Sequence, residues 1–195
     1  MKEKFMKIYR EKITREGADQ LLEWLEKSDF FTAPASTIHH LARKGGLVEH
    51  SVHVYERLKK LYMENLTAID EPWLSPEEEE TIAICGLLHD VCKANYYSVE
   101  MRNRKNEFGR WEQYPFYVVR DQLPYGHGEK SVYIISGFMK LDEEEAMAIR
   151  WHMGGFDDSS RGGSYALNGA LEKYPLVLLT HIADMMATYL DERGE

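Results

Sequence analysis

"LLHDVCK", residues 87–93, places an adjacent histidine and aspartate, His89 and Asp90, at the end of an apolar run. The run reads as a helix. "SPEEEETIAICGLLHDVCK" (75–93) opens with Ser75 as N-cap, Pro76 at the first helical position and Glu78 where a capping box needs it. The acidic run Glu77 to Glu80 is then a negatively charged first turn, favoured by the helix dipole. Burying an imidazole and a carboxylate in such a helix is costly unless each finds a partner. Hydrogen bonds from neighbours and a metal ion both meet that cost, and the pair alone does not choose between them.

Helices on either side supply candidate partners. "GGLVEHSVHVYERLKKLYMENL" (45–66) carries an apolar stripe through Leu47, Val48, Val54, Leu58 and Leu61. His50, 39 residues before His89 (89 − 50), borders that stripe, whereas His53 points ~60° further away at ~100° per residue. His53 is therefore expected to be solvated or to support another residue. "PLVLLTHIADMMATYLDE" (175–192) is a strongly apolar helix on which Thr180, His181, Asp184 and Thr188 share one face. A solvated face would carry Lys and Glu; this one has neither and is expected to line a site.

Further helical patterns cover 17–31, 128–141 and 141–155, the last with Asp142 and Glu145 as its capping pair. Between Asn95 and Pro124 the pattern changes to aromatic, strand-like runs. They flank "RNRKNEFG" (102–109) and predict a β-hairpin inserted among helices. The fold class is mainly α.

Composition limits the function. The chain has 195 residues, 44% hydrophobic and 29% charged, which suits one folded domain. A net charge of −9 argues against a long nucleic acid held by its phosphates. It leaves room for a small phosphorylated substrate whose charge a bound divalent cation offsets. Cys85 and Cys92 fall two turns apart on the expected 75–93 helix, ~10 Å, too far for a disulfide. Buried free thiols in a reducing compartment are the expectation. No apolar stretch approaches the ~20 residues of a membrane span, and the N-terminus shows no secretory pattern, so a cytoplasmic protein is expected.

A histidine, a His-Asp pair and an aspartate from three helices form an imidazole-plus-carboxylate set suited to a borderline or hard divalent cation. The order His50, His89-Asp90, Asp184, with "GGLVEHS" and "LLHDVCK" around the first three, resembles the HD superfamily of metal-dependent phosphohydrolases. The resemblance spans roughly 36–190 and implies an HD-domain helical bundle with metal at its centre, here with a small hairpin insertion (95–124). Residues 1–195 would form a single domain, 1–35 being N-terminal helices packed on the core. His127 in "GHGEKS" and His152 in "IRWHMGG" resemble the two extra histidines of the HD-type diadenosine tetraphosphate hydrolases, which hold a second ion. "GGLVEHSV" and "LLTHIADMMAT" are also similar to HD-type 3′-5′ exoribonucleases.

The resemblance implies about two divalent ions per chain, without choosing among Fe, Mn, Ni, Co, Zn and Mg. Asp90 would bridge them, with His50, His89 and Asp184 on one ion and His127 and His152 on the other. The implied activity is hydrolysis of a phosphoester or phosphoanhydride in a nucleotide, dinucleotide or short oligonucleotide. The alternatives are a non-catalytic nucleotide-binding regulator and a 3′-5′ exonuclease. Lys93 is expected to act on a phosphate oxygen, alongside the bridging Asp90. Further candidates for substrate contact are His40, Lys44, Tyr96, Glu129, Lys130 and His181. The expected partner is a small nucleotide-like phosphate, with no membrane and no long nucleic acid; the oligomeric state stays open.

Overall fold

The capping box at Ser75 forms as its spacing predicts. Ser75 Oγ accepts from the Glu78 N–H (3.2 Å), and the Glu78 carboxylate accepts from the Ser75 N–H (2.8 Å). The computed structural model describes residues 1–66 and 73–193. Eight helices and one hairpin make up those residues: α1 (Lys2–Lys12), α2 (Ala18–Lys27), α3 (Gly46–Asn65), α4 (Pro76–Leu88), β1 (Tyr97–Lys105), β2 (Trp111–Val119), α5 (His127–Ser136), α6 (Glu143–Arg150), α7 (Tyr165–Lys173) and α8 (Pro175–Met186). Short 3₁₀ turns follow α4 (Val91–Lys93) and α6 (Gly154–Phe156, Asp158–Ser160), and a π-turn, Ala187–Asp191, prolongs α8.

The architecture is mainly α. α3 lies between α4 and α8, α6 packs on α8 and α5, and α1 rests on α4 and α3. Leu47, Val54 and Leu58 of α3, Ile84, Leu87 and Leu88 of α4, and Leu176 and Val177 of α8 are fully buried. Each such side chain contributes about 1.5–3 kcal/mol by leaving water. Phe5, Tyr9, Leu21 and Leu25 from the two N-terminal helices join the same core. Arg15 clips them to it, its guanidinium donating to both oxygens of the buried Glu145 (2.7 and 2.8 Å) and to Glu80 (3.2 Å).

Gly86 sets the distance between α3 and α4. A Cβ there would lie 2.5 Å from Tyr55 Cα, so only glycine lets the helices approach this closely. That approach brings the end of α4 against His50.

Several boundaries differ from the sequence reading, each for a local reason. The 75–93 helix ends at Leu88: the Gly86 carbonyl, which a continuing helix would offer to the Asp90 N–H, is engaged by the His89 imidazole (2.9 Å). Lys93 and Cys92 therefore sit on a 3₁₀ turn, and the two cysteines, both free and buried, do not share a helix. The 17–31 helix stops at Lys27, where Ser28 Oγ takes the Phe30 N–H (3.1 Å). The hairpin turn lies at Asn106–Arg110, not 102–109, with Asn106 Oδ1 accepting from the Phe108 and Arg110 N–H groups (both 3.0 Å). Arg102 and Arg104 belong to β1 because the opposite strand satisfies them: Arg102 lies 3.6 Å above the Phe116 ring, and Arg104 Nε donates to Glu112 (2.7 Å). The helix expected over 128–141 runs 127–136, taking in His127 itself. α7 was not foreseen; only Leu167 and Ala170 on it are buried, too few for a visible period. Among the described residues no helix is long and apolar enough to cross a membrane.

Candidate metal centre

Five pieces of chain converge on Asp90. His50 comes from α3, His89 and Asp90 from the end of α4, His127 from the first residue of α5, His152 from two residues beyond α6, and Asp184 from α8. The two oxygens of Asp90 face different histidines. Oδ2 looks toward His50 Nε2 (3.8 Å) and His89 Nε2 (3.6 Å). Oδ1 looks toward His127 Nε2 (2.7 Å) and His152 Nε2 (3.5 Å). Asp184 Oδ1 stands 3.2 Å from His50 Nε2, and His50 and His89 Nε2 are 3.3 Å apart.

Three of the four imidazoles are turned by a bond on the far side. A carbonyl can only accept, so the Nδ1–H of His89 donates to Gly86 (2.9 Å) and that of His152 to Ile149 (2.7 Å). His50 Nδ1 donates to the buried carboxylate of Glu192 (3.1 Å). Nε2 of His89 and His152 is thereby left as a lone-pair donor toward Asp90, and that of His50 becomes one when a cation displaces its proton, the usual arrangement of metal-ligating histidines. His152 is fully buried, and its Nε2 has no hydrogen-bond partner at all. Such an orphan is costly in a protein interior, and an ion held there would complete it. With two carboxylates and four imidazoles around it, the donor set fits divalent metals.

Without an ion, neighbouring charges decide which rings hold an extra proton. Burial alone would lower the His50 pKa, but hydrogen bonds and charge from Asp184 and Glu192 outweigh it and raise it to about 9. Burial likewise opposes charge on His127, yet Cys92 and Asp90 beside it raise it to about 10. His89, where burial dominates, falls to about 3. Burial would raise the Asp90 carboxyl, but Lys93, His89 and His127 hold it well below the usual carboxylate range.

Glycines let His127 enter this cluster. Gly126 adopts φ +101°, and a Cβ on Gly128 would lie 2.1 Å from the Arg150 carbonyl oxygen. α5 therefore begins hard against the end of α6, bringing His127 and His152 to 5.2 Å between ring centroids.

A cleft of about 660 Å³ opens over the cluster, with His40, Lys93, Phe156 and Tyr189 on its walls. Lys93 Nζ sits 2.6 Å from Asp90 Oδ2. His40 lies against His50 with the rings tilted by 46° (4.9 Å between centroids), and its Nε2 has no hydrogen-bond partner. Burial, with His50 and Lys93 nearby, drops the His40 pKa to about 4, so its ring is neutral near pH 7. An adjoining lobe beyond His127 holds Tyr96, Glu129 and Lys130. There Lys130 pairs with Asp121 (2.5 Å) and lies 4.9 Å from the Tyr96 ring, while Glu129 pairs with Arg150. Two candidates stand apart. Lys44 is exposed and outside the cleft lining. His181 turns inward to donate to the His152 carbonyl (2.6 Å), so it braces that segment and lines neither lobe. The hairpin arginines also lie outside both lobes.

Glu192 escaped the sequence reading. It is buried and also receives His53 Nδ1 (3.0 Å), giving that histidine the supporting position. Its spacing from Asp184 and Thr188, eight and four residues on, was the available signal.

The sequence profile of the HD domain family matches residues 47–188, a span containing all six converging residues. No curated protein and no solved structure matches the chain.

Proposed function

The chain belongs to the HD domain family, a family of metal-dependent phosphohydrolases, and from that premise we propose that it hydrolyses a phosphoester or phosphoanhydride in a small nucleotide or dinucleotide. The observation that carries this reading is the divided carboxylate of Asp90, with one histidine set at each oxygen and the His152 Nε2 unpartnered beside it. His50, His89 and Asp184 would hold one divalent cation, His127 and His152 a second, with Asp90 between them. Bound there, such cations neutralise phosphoryl oxygens and lower the pKa of water enough to supply a nucleophile near neutral pH.

The remaining work falls to residues of the cleft wall. The Lys93 ammonium, its pKa raised by Asp90 against the opposing effect of burial, stays charged and can take a phosphate oxygen from the open side. Neutral His40 offers an uncommitted Nε2 for a hydrogen bond to substrate, 4.9 Å in ring spacing from His50. Glu192 holds the orientation of His50. Phe156 and Tyr189 provide exposed ring surface for a nucleobase. A cleft of about 660 Å³ suits a small ligand. A strand-tracking groove would need a basic surface, which a net charge of −9 does not favour, so a nucleotide fits better than a long strand.

A panel of nucleotides, dinucleotides and short oligonucleotides, assayed with each divalent metal, tests this. Turnover is expected with a small nucleotide, and Asp90→Ala should abolish it. Activity unchanged in Asp90→Ala would overturn the reading.

A further inference from the structure

Cys92 lies two residues beyond Asp90, on the 3₁₀ turn that replaces the end of α4. Had the helix continued, its side chain would have fallen two turns along from Cys85, facing the core. The turn instead swings the thiol to the edge of the lobe beside His127, where it is only 3% exposed. Its Sγ stands 3.7 and 3.8 Å from the two ring nitrogens of His127. Ligand atoms of Asp90, Cys92 and His127 all lie within 4.8 Å of one another. The turn is held there by the Cys92 N–H, which donates to Ser131 Oγ on α5 (3.2 Å).

We propose that Cys92 is a thiolate ligand of the ion on the His127 side of Asp90, making that position selective for a thiophilic cation such as Zn²⁺, Co²⁺ or Fe²⁺ over Mg²⁺. This rests on the metal-centre reading and deepens it by assigning a ligand and a metal class. The second observation is His152, fully buried, with an unpartnered Nε2 aimed at the same Asp90 oxygen from 3.5 Å. Asp90, Cys92 and His127 supply three clustered ligand atoms, and His152 Nε2 reaches the same Asp90 oxygen, a donor set of the kind zinc-like sites use. The spacing fits. Sulfur at ~2.3 Å and nitrogen at ~2.0 Å from a tetrahedral ion are ~3.5 Å apart, within a few tenths of an ångström of the 3.8 Å between Cys92 Sγ and His127 Nε2. Hard cations such as Mg²⁺ prefer oxygen ligands and gain little from the thiolate. The thiol proton leaves to solvent as the ion binds. Cys85, buried in α4 and part of no such cluster, serves as an internal control.

The test is cobalt titration of the full chain, followed by near-ultraviolet absorption and metal content, in wild type and Cys92→Ser. Wild type is expected to bind two cobalt ions and show a sulfur-to-cobalt charge-transfer band. Cys92→Ser should keep the first ion, lose the band, and bind the second more weakly by at least the ~10–100-fold seen for lost supporting contacts. Two bound ions with no band in wild type would overturn the sulfur ligand and leave the metal centre standing. Failure of wild type to bind cobalt would overturn both. The wild-type spectrum decides the matter even if the variant does not fold.

Discussion

At the scale of single residues, the centre is an exercise in protons and lone pairs. His89 and His152 give their Nδ1 protons to main-chain carbonyls and His50 gives its own to Glu192, so all three point Nε2 at Asp90. The consequence for His50 is a pKa of about 9 in place of the ordinary 6.5, since Asp184 and Glu192 overcome the burial that would lower it. A cation must displace that proton. Metal affinity is therefore expected to fall about tenfold per pH unit below pH 9, and calorimetric titration in buffers of different ionisation enthalpy should register the released proton. Stability of the metal-free protein should run the other way. A raised folded pKa stabilises fully below 6.5, and that contribution is lost as pH rises through 9. Glu192→Gln removes one of the two charges and should move both effects to lower pH. An affinity independent of pH between 6.5 and 9 would contradict the arrangement.

At the scale of elements, the site depends on helix ends. Three of its histidines sit at a terminus or just past one: His89 at the C-cap of α4, His127 at the first residue of α5, His152 beyond α6. Capping boxes at Ser75 and Asp142 were legible because their spacing is local, and both form. The end of α4 was not, because the bond that ends it comes from a side chain of the site itself, His89 to Gly86. Gly86 also carries a prediction. In Gly86→Ala the methyl would meet the Tyr55 backbone at 2.5 Å, forcing α3 and α4 apart. The expected loss is about 1–3 kcal/mol of stability, with weaker metal binding at the His50–His89 side. A denaturant titration measures the first and metal content the second. Unchanged stability would mean the helix contact is looser than described.

At the scale of the whole molecule, His50, His89-Asp90 and Asp184 were legible from polar groups set in or beside apolar helix patterns, whereas His127 and His152 were legible only through the resemblance to a branch of the HD superfamily. Support for those residues was harder to read. Glu192 comes 142 residues after His50 (192 − 50), and the π-turn that aims it leaves no compositional trace. Lys44, a weaker candidate than Lys93 from its loop setting, is exposed and outside the cleft, and the fold is what separates that loop from the cleft wall. Buried polar atoms without hydrogen bonds tell the same story. Among the described residues they are His40 Nε2, Glu129 Oε2, His152 Nε2 and Thr180 Oγ1, and the first three belong to residues of the cleft, its adjoining lobe or the metal cluster. Polar groups are left unsatisfied where a ligand completes them.

The central claim is that Asp90 stands between two cation positions. Metal content per chain, measured in wild type and in His127→Ala and His152→Ala after loading with a divalent transition metal, tests it most directly. The account predicts close to two ions in wild type and one in either variant; a single ion in wild type, unchanged by His127→Ala, would contradict it.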